Sequence, residues 1–258
     1  MSCFLPDHSK MSRTICVTVD PSGEVVDYVT LPYMWCNETS TSVLEATRKK
    51  ADLKTLGAFI KNTRPDCCAV ALNGMAASRF EEELQSVVDN LFNEAAYLRG
   101  GAGGMGRDGM DDEEDDDSAA PKADIIFMAP ELCVTFAKCR AASAMLPDYS
   151  VELRTAAILA LQVQDPLQVV GAMFNDTRDI LLLPWHPLCK SAAFEKADRD
   201  SLYEALERVL VHTVNTVGVD ANMLDQVRVR PLLPYVCGLG PAKAAALVTA
   251  IRTHNSER

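Results

Sequence analysis

Alternating apolar residues near the start of the chain constrain its fold most strongly. The stretch "TICVTVDPSGEVVDYVTLP" alternates apolar and polar residues over 15–19 and again over 25–31, a pattern typical of two half-buried strands. Between them, Asp20-Pro21-Ser22-Gly23 places Asp, Pro and Gly at the first, second and fourth positions of a four-residue turn, as a type I turn prefers. We therefore predict a β-hairpin.

The residues after the hairpin predict an alternation of helices and strands. Residues 43–62 are expected to be helical, and "CCAVALNG" is a short, nearly all-apolar run typical of a buried strand. Strand character returns in "ADIIFMAPELCVTFA". The order strand, strand, helix, strand, helix, strand predicts an α/β domain. Its second helix carries apolar residues at i, i+4, i+7 and i+8 spacing, namely Phe80, Leu84, Val87, Val88, Leu91 and Phe92.

Beyond residue 150 the pattern becomes helical. "VELRTAAILALQ" predicts a helix, and Pro166 suits the first turn of the next one. "DILLLPWHPL" predicts a short extended piece. "DRDSLYEALERVLVHTVNTVG" predicts a long amphipathic helix, after which a small helical module ends the chain. The expected apolar face of that long helix comprises Leu202, Leu206, Val209, Leu210, Val214 and Val217.

Residues 99–122 interrupt the α/β pattern with glycines and then acids. Over 99–124 there are nine acidic residues against three basic ones, and almost no apolar residue is available for a core, so we predict a disordered acidic loop. Gly101 to Gly106 fits G-x-G-x-x-G, but no helix follows and seven acids begin at Asp111. Those acids would repel a pyrophosphate, which excludes a dinucleotide site there.

Composition limits the classes of function. The formal net charge of −11 argues against attraction of the whole molecule to DNA or RNA. No run approaches the roughly 20 apolar residues of a membrane span, and the first residues lack the apolar centre of a secretory leader. We therefore expect a soluble, intracellular protein.

The nine cysteines and four histidines form no recognisable ligand pattern. The cysteine count is odd and no C-x-x-C pair occurs, so we predict small buried thiols in a reducing compartment, among them Cys16, Cys67, Cys68 and Cys133. No histidine pairs with a cysteine or an acid at ligand spacing. We expect no cofactor. The histidines are His8, His186, His212 and His254.

The order of elements suits an RNase H-like fold, whose nucleases hold two divalent metals with several carboxylates. Asp20 lies at the end of the first strand, but it already has a structural role in the turn. The buried strand is followed by Asn73, a neutral residue, and Glu131 is a possible late acid. Two metals need several anionic oxygens, so we predict neither a metal site nor catalytic residues.

The stretch "YVCGLGPAKAAALV" is typical of a helix-hairpin-helix turn. Gly238 and Gly240 let the backbone bend tightly and let a phosphate approach. N–H groups of Gly238-Leu239-Gly240 and of the following helix start would hold one nucleic-acid phosphate, with Lys243 adding positive charge. Such contact ignores base sequence. The alternative is that the glycines only allow two helices to pack closely.

Several motifs resemble the Tex-like transcription factors. "VNTVGVDANML" followed by "LLPYVCGLGPAKAAAL" is similar to their signature, and "GEVVDYVTLP", "QDPL" and "ILLLPWHPL" agree with it. The similarity runs from about residue 11 to 253. It is strongest to the eukaryotic suppressor-of-Ty branch (its sixth member), which comprises elongation factors and histone chaperones. The acidic run at 111–117 is a departure from the family pattern.

The resemblance implies a central-core fragment of a longer protein. Its parts would be an RNase H-like YqgF domain at 11–148 with the acidic loop at about 99–122, a helical connector at 149–197 and a helix-hairpin-helix domain at 198–258. It further implies a nuclear, non-enzymatic scaffold that acts with RNA polymerase II, binds nucleic acid weakly and has histones as a possible partner. Two alternatives stay open: a divalent-metal-dependent RNase H-like nuclease or resolvase, and a Tex-type RNA-binding factor.

Overall fold

The protein is described here by a computed structural model covering residues 1–4, 13–34, 43–71, 80–91, 123–185, 187–190, 194–224 and 226–256. It divides into two compact units, Met1–Pro130 and Glu131–Arg258. The first contains a mixed sheet with helices, and the second is helical. The predicted succession of an α/β part and an α-helical part is confirmed, while the limits at 148 and 197 stay a prediction.

A five-stranded sheet organises the first unit. Its strands are β1 (Ser2–Phe4), β2 (Thr14–Val19), β3 (Val25–Leu31), β4 (Cys67–Ala71) and β5 (Asp124–Met128), in the order β3-β2-β1-β4-β5. The pairs β1–β2 and β2–β3 are antiparallel, whereas β1–β4 and β4–β5 are parallel. The sequence did not predict β1, because three residues are too few to display an alternation.

The predicted hairpin is confirmed in β2 and β3. The Gly23 N–H donates to the Asp20 carbonyl at 2.9 Å, and Gly23 has a φ of +79°, which glycine adopts without strain. The Asp20 carboxylate accepts hydrogen bonds from Ser22 Oγ at 2.6 Å and from the Glu24 N–H at 2.8 Å. The bond from Ser22 and those from the turn amides lower the pKa of Asp20. The side chain therefore closes the turn.

Helices α1 (Val43–Thr63) and α2 (80–91) pack against one face of this sheet. Leu56 on α1 and Leu84 on α2 are fully buried, and each contributes roughly 1.5–3 kcal/mol by leaving water. A partly buried ion pair between Lys49 and Glu83 joins the two helices. Both predicted helices are confirmed; Phe92 lies outside the described residues. The sheet contributes Cys3, Cys16, Leu31, Cys68 and Val70 to this core.

The predicted burial of the cysteines is largely confirmed. Cys16, Cys68 and Cys133 are buried, whereas Cys67 is only half-buried. Burial raises the pKa of Cys68 and of Cys133 to about 12, so both stay thiols at neutral pH. The described cysteines, a set that leaves out Cys36, form no disulfides.

The second unit contains six α-helices among its described residues. They are α3 (Glu131–Phe136), α4 (Arg140–Met145), α5 (Val151–Gln164), α6 (Pro166–Ala172), α7 (Lys196–Val217) and α8 (Gly240–Ser256). Short 3-10 helices cover Asp179–Leu182, Pro187–Lys190, Ala221–Met223 and Arg230–Tyr235. Pro166 lies in the first turn of α6 as predicted.

Three local predictions are corrected. The run 131–136, which carried strand character in the sequence, is helical. The piece expected to be extended begins with the 3-10 helix Asp179–Leu182. Arg178, directly before it, has a left-handed backbone with a φ of 54°, and the Trp185 indole N–H donates to the Ile180 carbonyl at 2.7 Å. Both features are incompatible with an extended strand. On α7, only part of the predicted apolar face is buried.

The buried face of α7 is narrower than the spacing of its apolar residues predicted. Leu210 and Val214 are buried, whereas Val209 and Val217 are 62% and 70% exposed. The helix contacts the segments Asp179–Leu182 and Arg230–Tyr235. A helix covered on one narrow side leaves its flanking apolar positions in water.

Candidate nucleic-acid interface

The glycine stretch forms a turn between the 3-10 helix Arg230–Tyr235 and α8. Gly238 has a φ of +87° and Gly240 a φ of +60°, both in the region where a side chain strains the backbone. The Leu239 N–H donates to the Val236 carbonyl at 3.0 Å and closes the turn. The sequence therefore requires glycine at these two positions for backbone conformation.

The space around the two glycines separates the two interpretations of the turn. Apart from the adjoining backbone, no atom of the described residues lies within 4 Å of a Cβ added to Gly238 or Gly240. By contrast, a Cβ on Gly171 in α6 would lie 2.2 Å from Leu232 Cδ2, so Gly171 is a packing glycine. The close contact that requires glycine at position 171 therefore does not explain Gly238 and Gly240.

The first turn of α8 adds electropositive groups beside this open surface. The first N–H groups of a helix have no acceptor within the helix and carry a partial positive charge. No acidic residue occupies this turn of α8. Lys243 is exposed and its Nζ donates to the Gly238 carbonyl at 3.0 Å. The ammonium group thus lies at the turn itself.

A residue that the sequence did not single out holds the turn from the side of α7. The Asn215 Oδ1 accepts from the Cys237 N–H at 2.8 Å. Its Nδ2 donates to the Tyr235 carbonyl at 3.0 Å and to the Val211 carbonyl at 2.6 Å. In the sequence, Asn215 is simply a polar residue directly after Val214. Nothing there indicates its partner Tyr235, 20 residues away.

An apolar layer supports the segment that leads into the turn. Tyr235 stacks edge-on against Phe174, with ring centroids 6.1 Å apart, and its hydroxyl pairs with that of Tyr203. Burial, reinforced by Tyr203, raises the pKa of Tyr235, so the phenol stays neutral at physiological pH. A small core joins this segment to α8 and contains Leu224, Val229, Leu233 and Ala244.

The residues considered for a metal site have separate settings. Asp20 bonds within its own turn, Glu131 is exposed at the start of α3, and Asn73 lies outside the described residues. Where the structure describes the chain, no three histidine, cysteine or acidic residues come together as a metal-binding group. His212 is exposed on α7. His8 and His186 are not described, nor is the side chain of His254.

The acidic loop predicted at about 99–122 lies outside the described residues. In the part of the chain that is described, no helix combines the length and the apolar character needed to cross a membrane.

Comparison with known proteins identifies relatives for the whole chain and a motif in its last third. Residues 178–258 match the family model of the helix-hairpin-helix motif. Transcription elongation factor SPT6 of Drosophila melanogaster is 27% identical over 97% of this chain and 12% of the relative. The Suppressor of Ty 6 homolog of Caenorhabditis briggsae is 24% identical over 98% of the chain and 15% of the relative.

A plant relative shows the same relation. The transcription elongation factor SPT6 homolog of Arabidopsis thaliana is 27% identical over 90% of this chain and 13% of its own length. The chain thus spans 12–15% of the length of these relatives. The resemblance predicted from the glycine turn and its neighbouring motifs is confirmed: nearly the entire chain is similar to one segment of the suppressor of Ty 6 transcription elongation factors.

Proposed function

We propose that this chain is a non-catalytic scaffold that contacts nucleic acid within a transcription elongation factor and histone chaperone acting with RNA polymerase II. In this proposal the α/β unit is an RNase H-like YqgF domain that supplies a rigid surface. The helical unit supplies a sequence-independent contact to one backbone phosphate through Gly238, Leu239, Gly240 and Lys243. The protein would act in the nucleus, with histones as a further partner.

The geometry of the glycine turn carries this proposal. Two glycines with positive φ face open space at the start of a helix, and a lysine ammonium lies 3.0 Å from the carbonyl of the first one. Backbone N–H groups at such a position attract phosphate, and a close approach requires the absence of side chains. The match of residues 178–258 to the helix-hairpin-helix motif supports the same role.

The charge distribution supports a weak contact. Residues 227–258 hold five basic residues and one acidic residue, while 198–226 hold two basic and six acidic residues. A single phosphate contact in a molecule of net charge −11 gives low affinity, since opposed long-range charge reduces attraction. The affinity should fall as salt rises, because bound counterions are released from the nucleic acid.

The sheet supports the proposed fold of the first unit. The hairpin of β2 and β3 pairs with a central β1, to which β4 and β5 add in parallel. A three-stranded antiparallel part extended by parallel strands is the arrangement expected of an RNase H-like sheet. Asp20 uses its carboxylate to close the hairpin turn, which favours a structural role for this acid.

Gly240→Glu tests the phosphate contact. A carboxylate at this position would repel a phosphate across a few ångströms and would strain the turn. We therefore expect roughly tenfold weaker binding to a short fluorescein-labelled DNA duplex. Fluorescence anisotropy at low salt measures this affinity. Ala250→Glu adds the same charge to an exposed position on α8, about 15 Å further along the helix, and should change affinity much less. Equal affinities of wild type and Gly240→Glu would refute the contact.

Two assays on the wild-type protein distinguish the nuclease and the RNA-binding alternatives from the scaffold. Cleavage of branched or single-stranded DNA with magnesium or manganese, lost in Asp20→Asn, would establish a nuclease instead of a scaffold. If unlabelled RNA displaced the labelled duplex at a much lower concentration than unlabelled DNA of the same sequence, the protein would be a Tex-type RNA-binding factor. The scaffold proposal expects no cleavage and similar competition by both.

A further inference from the structure

We infer that Asn215 is a positioning residue for the nucleic-acid-contacting turn. It sits on α7, outside the turn, and its side chain bonds to the backbone on both sides of Val236: to the Tyr235 carbonyl and to the Cys237 N–H. These bonds fix the chain directly before Gly238. This inference rests on the proposed function, because it assigns a purpose to the shape of the turn.

The turn needs such a hold because two of its residues are open to solvent. Cys237 and Gly238 are exposed, and the space beside Gly238 and Gly240 is open. A glycine backbone has the largest conformational freedom of any residue. Hydrogen bonds must therefore supply the order that side-chain contacts supply elsewhere, and a turn ordered before binding avoids part of the entropy cost of binding.

A carboxamide fits this position better than the similarly shaped side chains of aspartate and leucine. The contact requires an acceptor for the Cys237 N–H and a donor for the Tyr235 carbonyl, and asparagine carries both. Aspartate lacks the donor, and leucine lacks both groups. Asparagine is also a poorer helix former than alanine, and its one bond within α7, to the Val211 carbonyl, does not require the acceptor oxygen. The bonds to the turn give a physical reason for its presence.

Two side chains hold the turn from two different helices. Asn215 on α7 binds the residues before Gly238, while Lys243 on α8 donates to the Gly238 carbonyl. Lys243 also brings charge to the phosphate, whereas Asn215 is neutral and is placed to act only through the backbone. Loss of Asn215 should therefore weaken binding without changing the number of charges that meet the nucleic acid.

Asn215→Ala tests the inference in the full chain. We expect roughly tenfold weaker binding to the labelled DNA duplex, since two hydrogen bonds that order the turn are lost. The slope of log affinity against log salt should not change, because no charge is removed. Thr216→Ala is the matched control: this neighbouring hydroxyl donates within α7, to the His212 carbonyl at 2.8 Å, and its loss should leave affinity unchanged.

Amide hydrogen exchange provides a readout that does not depend on nucleic acid. The Cys237 N–H should exchange at least tenfold faster in Asn215→Ala than in wild type, since its acceptor is gone, and at the wild-type rate in Thr216→Ala. Unchanged exchange of Cys237 would overturn the inference.

Gly240→Glu, measured in the same titrations, separates the inference from the proposed function. Weaker binding by Gly240→Glu together with wild-type affinity of Asn215→Ala would overturn the role of Asn215 and leave the phosphate contact standing. Unchanged affinity in both variants would refute the phosphate contact and, with it, the purpose assigned to Asn215. Weaker binding by both, with accelerated exchange at Cys237, is the result expected.

Discussion

Gly171→Ala should lower the free energy of unfolding of the second unit. In a Leu232→Ala background the same change should raise it. The added Cβ would lie 2.2 Å from Leu232 Cδ2 and 3.2 Å from its Cγ. Leu232 is 3% exposed, so its side chain has little room to move away. Overpacking of this kind costs about 1–3 kcal/mol, and a contact this short belongs at the upper end.

The local preference of α6 opposes this cost. Replacing a glycine inside a helix with alanine stabilises the helix by about 1 kcal/mol, which leaves a net loss of about 1–2 kcal/mol. In a Leu232→Ala background the clash disappears, so only the helix term remains. There Gly171→Ala should raise stability by about 1 kcal/mol, although Leu232→Ala alone costs about 2–5 kcal/mol.

Urea denaturation measures both effects through the free energy of unfolding. The chain has two tryptophans, and replacing Trp35 with Phe leaves Trp185 in the second unit as the reporter. Gly171→Ala should lower the free energy of unfolding when Leu232 is present and raise it in the Leu232→Ala background. The same change in both backgrounds would show that the contact between α6 and the Arg230–Tyr235 segment is not as tight as described.

Two further predictions concern the turn of α8 and the hairpin. Lys243→Gln should weaken binding to DNA of any sequence and reduce the slope of log affinity against log salt by about one, because one phosphate-neutralising charge is lost. Lys196→Gln, an exposed change on α7, should alter neither the affinity nor the slope. Anisotropy titrations at several salt concentrations measure both quantities. Asp20→Ala should lower the urea midpoint at neutral pH. The pKa of Asp20 is lowered in the folded protein, so its contribution is present above the unfolded value of about 3.9 and is lost as pH falls through the lowered folded value. The difference between wild type and Asp20→Ala should therefore vanish at strongly acidic pH, and a difference that persists there would contradict the role of the ionised carboxylate.

Local signals in the sequence predicted the elements that are locally determined. The hairpin follows from its alternation and from a turn whose Asp20 and Gly23 have defined tasks. The helix at 80–91 follows from its spacing, and the glycine turn from Gly238 and Gly240. In each case the residues that determine the conformation are neighbours in the chain.

The features that the sequence did not reveal depend on distant partners. β1 exists because Cys3 pairs with Cys16 on one side and with Val70 on the other, so its order comes from strands far along the chain. The exposure of Val209 depends on which side of α7 meets its neighbours. Asn215 acquires its role only when the chain returns at Cys237, 22 residues later.

The central claim is that the glycine turn of the second unit contacts a nucleic-acid backbone. Nuclear magnetic resonance of the 15N-labelled chain, titrated with a short DNA duplex at low salt, tests it most directly. We expect the largest changes in amide chemical shift at Gly238, Leu239, Gly240 and Lys243, with each of two duplexes of unrelated sequence. Unchanged resonances of these four amides would contradict the contact. Changes seen with only one of the two duplexes would also contradict it.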